Sequence, residues 1–259
     1  MIQSISMSEF VNFCHILADI SGPIVRSYFR TPLAVEDKPD NSPVTLADRA
    51  VERAICEKIA QTYPQHGIYG EETGSSNTNA EYVWVIDPID GTKAFITGKP
   101  LFGTLIALLY QGKPVLGVLD NPILRERWIG GDNVPTTLNG QIVRVRSGFA
   151  LNQAALYATT PDMFKGHDHF LFKKIQDAVK LSLYGCDCYA YGLLASGFVD
   201  LVVEASLSPY DYCALVPIIE GAGGIMTDWQ GQALGLHSDG RVIAAVDKQI
   251  HFQVLELLK

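Results

Sequence analysis

The chain has 259 residues, 47% hydrophobic and 19% charged, which excludes the low-hydrophobicity, high-charge composition of disordered chains and provides for a sizeable core. A formal net charge of -8, with no long run of Lys or Arg, gives DNA or RNA binding little electrostatic footing. The longest apolar run, near Leu101 to Tyr110, is too short to span a bilayer, and the opening MIQSISMSEF lacks the basic start of a secretory signal, so a soluble, cytoplasmic protein is expected.

The first element is a helix from Ser8 to Phe29, with Phe10, Cys14, Leu17, Ile20 and Ile24 at helical spacing and an expected kink at Gly22-Pro23. A polar stretch from Leu33 to Pro43 follows. Thr45 and Asp48 then form a capping-box pattern ahead of Val51, Ala54, Ile55 and Ile59, a second helix ending before Pro64. A short strand leads into Gly70. YVWVID from Tyr82 is rich in β-formers, and TLIALLY and PVLGVLD read as two strands joined by a Gln-Gly-Lys-Pro turn. Further strands are expected at Arg125 to Ile129 and Gln141 to Val145. Ser147-Gly148 is the best boundary, dividing one compact unit into halves of residues 1–147 and 148–259.

The second half alternates: strand Ala155 to Ala158, helix Asp162 to Ala178, strand near Leu181, helix Tyr189 to Ser196, strand Leu201 to Glu204, helix Asp211 to Glu220. Strands at Ile225 to Thr227 and Val242 to Ala245 precede a last helix from Lys248. Such alternation indicates layered α/β architecture. The five cysteines, Cys14, Cys56, Cys186, Cys188 and Cys213, are odd in number and contain no CxxC, which fits free thiols in a reducing compartment. His167-Asp168-His169 reads as solvated helix surface, and Arg125, Glu126 and Arg127 as the polar face of a strand.

The chemistry concentrates at Asp87-Pro88-Ile89-Asp90-Gly91-Thr92, where an apolar strand meets two carboxylates and a glycine. Pro88 biases Asp87 toward extended backbone, Gly91 permits a tight turn, and a short helix from Thr92 would aim the N–H groups of Gly91 and Thr92 outward as an anion site. Alone, Asp90-Gly91 would be only a turn. Glu71 and Glu72 just upstream, and Asp211 at a helix start, make it one of several acids.

In order, Asp48, Gly70-Glu71-Glu72, Asp87-Pro88-Ile89-Asp90-Gly91-Thr92 and Tyr210-Asp211 resemble the motifs of the inositol monophosphatase superfamily across nearly the whole chain. The resemblance implies an αβαβα sandwich with its active site where the halves meet, and a homodimer. It implies one Mg²⁺ held by Glu71, Asp87 and the Ile89 carbonyl, and a second by Asp87, Asp90 and Asp211. A third, weaker ion near Glu71 occurs in some relatives. Asp48 and Thr92 would orient or deprotonate the attacking water, although Asp48 also suits a purely capping role. Tyr210 stands where relatives most often carry Trp.

The segments DPIDGTKAFITGKPLFGTLIAL and CDCYAYGLLASGFVDLVVEA are similar to the histidinol-phosphate phosphatase branch. Lys93, Ala94 and Phe95 depart from the x-N-F that inositol phosphatases commonly show there. That branch implies that Asp187 and Glu204 face the alcohol of a small phosphorylated metabolite, where paired carboxylates would suit a cationic histidinol and disfavour a neutral polyol. Residue by residue, Asp187 also suits a helix N-cap and Glu204 a surface acid at a strand end. The aspartyl-nucleophile phosphatases use D-x-D, whereas the acids here are spaced D-x-x-D. A non-catalytic metal-binding scaffold would be expected to lack at least one of these acids, and all are present.

Overall fold

The computed structural model describes residues 6–32, 35–37, 43–148 and 150–259. Ser6 caps the first helix, Met7–Tyr28, in a capping box with Glu9. The helix continues through Gly22 and Pro23 to Tyr28. Thr45 and Asp48 form the expected capping box of the second helix, Leu46–Thr62. The stretch Leu33 to Pro43 lies partly outside the described residues; those within them set Val35–Asp37 antiparallel to Pro43–Thr45.

The two helices cover one face of an eight-stranded sheet. Its order in space is Gln141–Ile142, Val134–Leu138, Glu126–Gly131, Lys113–Asn121, Gly103–Tyr110, Tyr82–Asp90, Gly67–Gly70, Ser75–Ser76. Neighbours are antiparallel except Gly67–Gly70 against Tyr82–Asp90, which is parallel. Strand alternation divides the side chains between two cores. Trp84, Ile86, Ile106 and Leu108 meet the helices, while Val83, Val85, Leu105 and Ala107 face the other half. Both faces are therefore dry, and each fully buried Ile or Leu contributes roughly 1.5 to 3 kcal/mol. Trp84 is wholly buried among Phe10, Phe13 and Tyr63, and its indole N–H donates to His66 Nδ1 at 3.1 Å.

A second sheet of five strands runs Leu181–Tyr184, Ala155–Ala158, Leu201–Glu204, Val242–Ala245, Ile225–Thr227. Helices Tyr189–Ala195 and Leu215–Gly221 fill the space toward the first sheet, and His167–Ala178 and Lys248–Leu257 pack together beside the second. The layers are α, β, α, β, α, as expected.

Four details depart from the sequence reading. Val134–Leu138 is a strand that its polar Thr136 and Thr137 conceal, and Gln141 to Val145 shrinks to Gln141–Ile142. The helix expected from Asp162 starts at His167, after a separate 3-10 turn at Pro161–Met163. The helix expected from Asp211 is two pieces, Pro209–Tyr212 and Leu215–Gly221. Cys213 and Ala214 between them keep helical angles (φ -59 ψ -34 and φ -70 ψ -29), and Pro217 has no N–H for the Cys213 carbonyl, so a hydrogen bond is lost while the backbone angles stay helical. Among the described residues no helix is long and apolar enough to cross a membrane. All five cysteines are free.

Candidate active site

In a regular strand Asp87 and Asp90, three residues apart, would point to opposite faces. The pairing of Tyr82–Asp90 with Gly103–Tyr110 shifts register between Asp87 and Asp90, and the irregularity returns both carboxylates to one side. Pro88 cannot donate to the ladder, and its carbonyl instead accepts the Thr104 hydroxyl at 2.8 Å. Asp87 Oδ1 accepts the Ile89 N–H at 2.9 Å, which braces the turn. Gly91 sits in the left-handed region (φ 91), and helix Thr92–Ile96 begins directly after it. A side chain at Gly91 would also run into Phe102 and Asp187.

The other half brings the third acid. Asp211 occupies the third position of helix Pro209–Tyr212, and its Oδ2 accepts the Ser208 N–H at 2.7 Å. It therefore caps the helix from within, in a capping box with Ser208. Carboxylate oxygens of Asp87, Asp90 and Asp211 lie within 4.8 Å of one another. Asp90 is steadied by the Cys188 N–H at 2.6 Å.

Such crowding is unfavourable for bare anions. Burial, then the charges of Glu71, Asp90 and Asp211, push Asp87 well above the usual carboxylate range. Burial, then Asp187 and Asp211, do the same to Asp90. Asp211 is pushed up to about 7 by burial, with Glu71 adding to it. Glu71 follows strand Gly67–Gly70, and its N–H donates to the Ile86 carbonyl at 3.3 Å, beside Asp87. Asp48 is fully buried; Thr45 satisfies its Oδ2 through backbone N–H (2.8 Å) and hydroxyl (2.6 Å), while Oδ1 has no partner. Burial and the nearby Glu71 charge raise its carboxyl as well. An all-oxygen, hard donor set of mutually repelling acids, with an orphaned buried oxygen alongside, fits magnesium chemistry.

Thr92 donates its hydroxyl to the Ile89 carbonyl at 3.1 Å, so two of the expected site groups touch each other. Asp187 also reaches the site. It adopts a left-handed backbone (φ 47), Cys188 takes the N-cap position, and the Asp187 carboxylate borders Gly91. Burial pushes it up to about 6 against the opposing charges of Lys99 and Lys93. Glu204 is only 3% exposed, which removes the surface-acid reading. Its oxygens accept the Thr159 N–H at 2.7 Å and the Tyr191 hydroxyl at 2.8 Å, and burial pushes it up to about 7.

Sequence reasoning missed Lys93 and Lys99 as neighbours of Asp187, Tyr191 and Thr159 as partners of Glu204, and the buried Glu52 behind the Glu71 loop. Of these, only Glu52 carried a signal, as an acid four residues after Asp48 on one helix. Arg127 is more than a strand's polar face: it donates to Asp120 at 2.6 Å and Asp19 at 2.8 Å. It lines a cleft of about 370 Å³ with His15, Arg26 and Arg125. Asp120 and Asp19 offset much of the positive charge there, and the metal-ligand cluster found among the described residues is the one at Asp87.

The model of the inositol monophosphatase family matches residues 6–259. The bifunctional phosphatase IMPL2, chloroplastic, of Arabidopsis thaliana is 52% identical, over 98% of this chain and 76% of that protein. A histidinol-phosphatase of Chlorobaculum parvum is 36% identical over 88% of this chain and 89% of its own. The structure of an inositol monophosphatase from Zymomonas mobilis superposes with a TM-score of 0.91 at 46% identity, covering 98% of this chain and 99% of that one. The chain thus belongs to the inositol monophosphatase family and is a phosphatase of that family.

Proposed function

We propose that this chain is a magnesium-dependent phosphomonoesterase that hydrolyses L-histidinol phosphate to L-histidinol and phosphate. The observation that carries the reading is the placement of two further acids, the half-buried Asp187 and the buried Glu204, beside the Asp87, Asp90 and Asp211 triangle, close enough for their charges to act on one another. A triangle of acids calls for cations, and acids beyond it suit a leaving alcohol that carries an ammonium group. The names of the Chlorobaculum and Arabidopsis relatives agree with a phosphatase of this kind.

In this reading Glu71, Asp87 and the Ile89 carbonyl would hold one Mg²⁺, Asp87, Asp90 and Asp211 would hold a second, and a third, weaker one would lie near Glu71. Bound there, magnesium neutralises phosphate charge and acidifies water. The Gly91 and Thr92 N–H groups, at the start of a helix, receive phosphate oxygens. Asp48, through its unpartnered Oδ1, takes a proton from the attacking water while Thr92 orients it. The water oxygen bonds to phosphorus, the ester P–O bond breaks, and the departing alkoxide takes a proton from solvent water. Asp187 pairs with the substrate's ammonium group. Glu204, tied to Thr159 and Tyr191, lies behind it and can ionise opposite a cationic group.

Inositol 1-phosphate is the second reading, favoured by the likeness to the Zymomonas protein. Phosphate release with Mg²⁺, compared as kcat/KM on histidinol phosphate and inositol 1-phosphate, separates the two. A preference for inositol 1-phosphate would reject the histidinol assignment and leave the metal site standing. The division at 147/148 is proposed on the gap between Ile142, where the first sheet's strands end, and Ala155, where the second's begin. Homodimer formation is proposed from the family resemblance. A reducing, cytoplasmic compartment is the reading that the free thiols support.

A further inference from the structure

Asp48 and Glu52 lie one helical turn apart on Leu46–Thr62, so they share a face, and both are fully buried. A buried carboxylate is costly unless its oxygens are bonded. Glu52 meets that cost through the loop that carries Glu71. Its Oε2 accepts the Glu72 N–H at 2.9 Å, and its Oε1 accepts the Thr73 N–H at 2.6 Å and the Thr73 hydroxyl at 2.5 Å. Gly70, immediately before Glu71, lies so close over this carboxylate that a Cβ there would collide with it. On its other side the loop is tied to the sheet: the Gly70 N–H donates to the Gly74 carbonyl at 3.0 Å, and the Glu71 N–H to Ile86 at 3.3 Å. The backbone around Glu71 is thus held between the strand that carries Asp87 and the helix that carries Asp48.

We propose that Glu52 is a positioning residue, whose carboxylate clamps the Glu72–Thr73 backbone onto the helix and thereby sets the placement of Glu71 relative to Asp48 and Asp87. Ordinary packing would be served by an apolar side chain of similar volume. A carboxylate serves only if three donors of one loop must be gathered at one point. The inference rests on the metal-dependent reading of the site, and it adds a residue that touches neither metal nor substrate.

The test is Mn²⁺ binding to the metal-stripped full-length protein, followed by electron paramagnetic resonance, with Mg²⁺ activation curves and melting temperature measured alongside. Glu52→Gln keeps the shape but turns an NH₂ toward one of the loop's N–H donors. It is expected to weaken Mn²⁺ binding about tenfold or more and to raise the Mg²⁺ needed for half-activation in parallel. At saturating Mg²⁺ most of kcat should return, a split that simple loss of fold does not produce. Thr73→Val removes one of the three bonds and is expected to weaken Mn²⁺ binding about threefold, which keeps the test open should Glu52→Gln not fold. Mn²⁺ affinity within twofold of the parent in both variants, whatever their melting temperatures, would overturn the positioning role. Absence of Mn²⁺ binding by the parent protein would instead overturn the metal-dependent reading itself.

Discussion

The acids of this site fall into two regions that treat their carboxylates differently. Around Asp87, Asp90 and Asp211, each side chain is braced by one backbone N–H and keeps oxygens turned toward the other two, so the region stays electrostatically unsatisfied. At Glu204 both oxygens already accept hydrogen bonds, from Thr159 and Tyr191, and Asp187 sits against two lysine charges. The first arrangement stores repulsion that a cation relieves; the second sets hydrogen-bonded and lysine-facing carboxyls beside a neighbouring molecule. Removing an acid from the first region should therefore cost turnover, and removing one from the second should cost discrimination.

The largest effect is expected from Asp90→Asn, which takes a charge out of the triangle while keeping an acceptor for the Cys188 N–H. Phosphate release should fall by roughly 10³-fold or more, beyond the ~10² to 10³ of a single electrostatic donor. A loss of less than tenfold would mean that the triangle does not hold the metal. Asp48→Asn comes next, with kcat lowered about 10²-fold, the low end for a positioned base. Because Asn still accepts from Thr45, the melting temperature should change little. If stability falls and kcat does not, Asp48 only caps its helix.

In the second region, Asp187→Ala is expected to raise KM for histidinol phosphate roughly tenfold, about one charge-assisted hydrogen bond, and to leave inositol 1-phosphate nearly unaffected. Equal changes for both substrates would remove Asp187 from recognition. The smallest effect is a pH dependence shared by the two regions. Asp211 and Glu204, both pushed up to about 7 by burial, hold protons in the folded chain that an unfolded carboxyl releases near its ordinary value. Their contribution to stability is complete below that ordinary value and is lost as pH rises through about 7. The metal-free protein should therefore melt higher at about pH 5 than at about pH 8. Added Mg²⁺ should narrow the gap, since ionised Asp211 then has a cation to face. Calorimetry showing the opposite order without metal would contradict the burial of these groups.

Much of this was legible in the sequence because it is local. The 3.6-residue periodicity located the helices Met7–Tyr28 and Leu46–Thr62, and apolar runs rich in β-formers located the strands Tyr82–Asp90, Gly103–Tyr110 and Lys113–Asn121, within a few residues. Thr45 with Asp48 announced a helix start, Pro88 and Gly91 announced a turn, and the order of the acids announced a family. The break at Cys213-Ala214 was not read, although Pro217 encodes it four residues downstream. Strand Val134–Leu138 was missed because Thr136 is buried through a bond from its hydroxyl to the Ile218 carbonyl at 2.6 Å, a partner 82 residues away.

What the sequence determined by itself is therefore the layered architecture and the identity of the acids, since periodicity, caps and turn residues act within a few positions of one another. Only the tertiary structure decided which acids share a site and in what state. Asp211 meets Asp87 across 124 positions, Glu204 is silenced as a surface charge by Tyr191 and Thr159, and Glu52 becomes the anchor of a loop twenty residues ahead. The physical reason is burial: a carboxylate's charge, partners and purpose depend on what the rest of the chain places around it, and no local pattern specifies that.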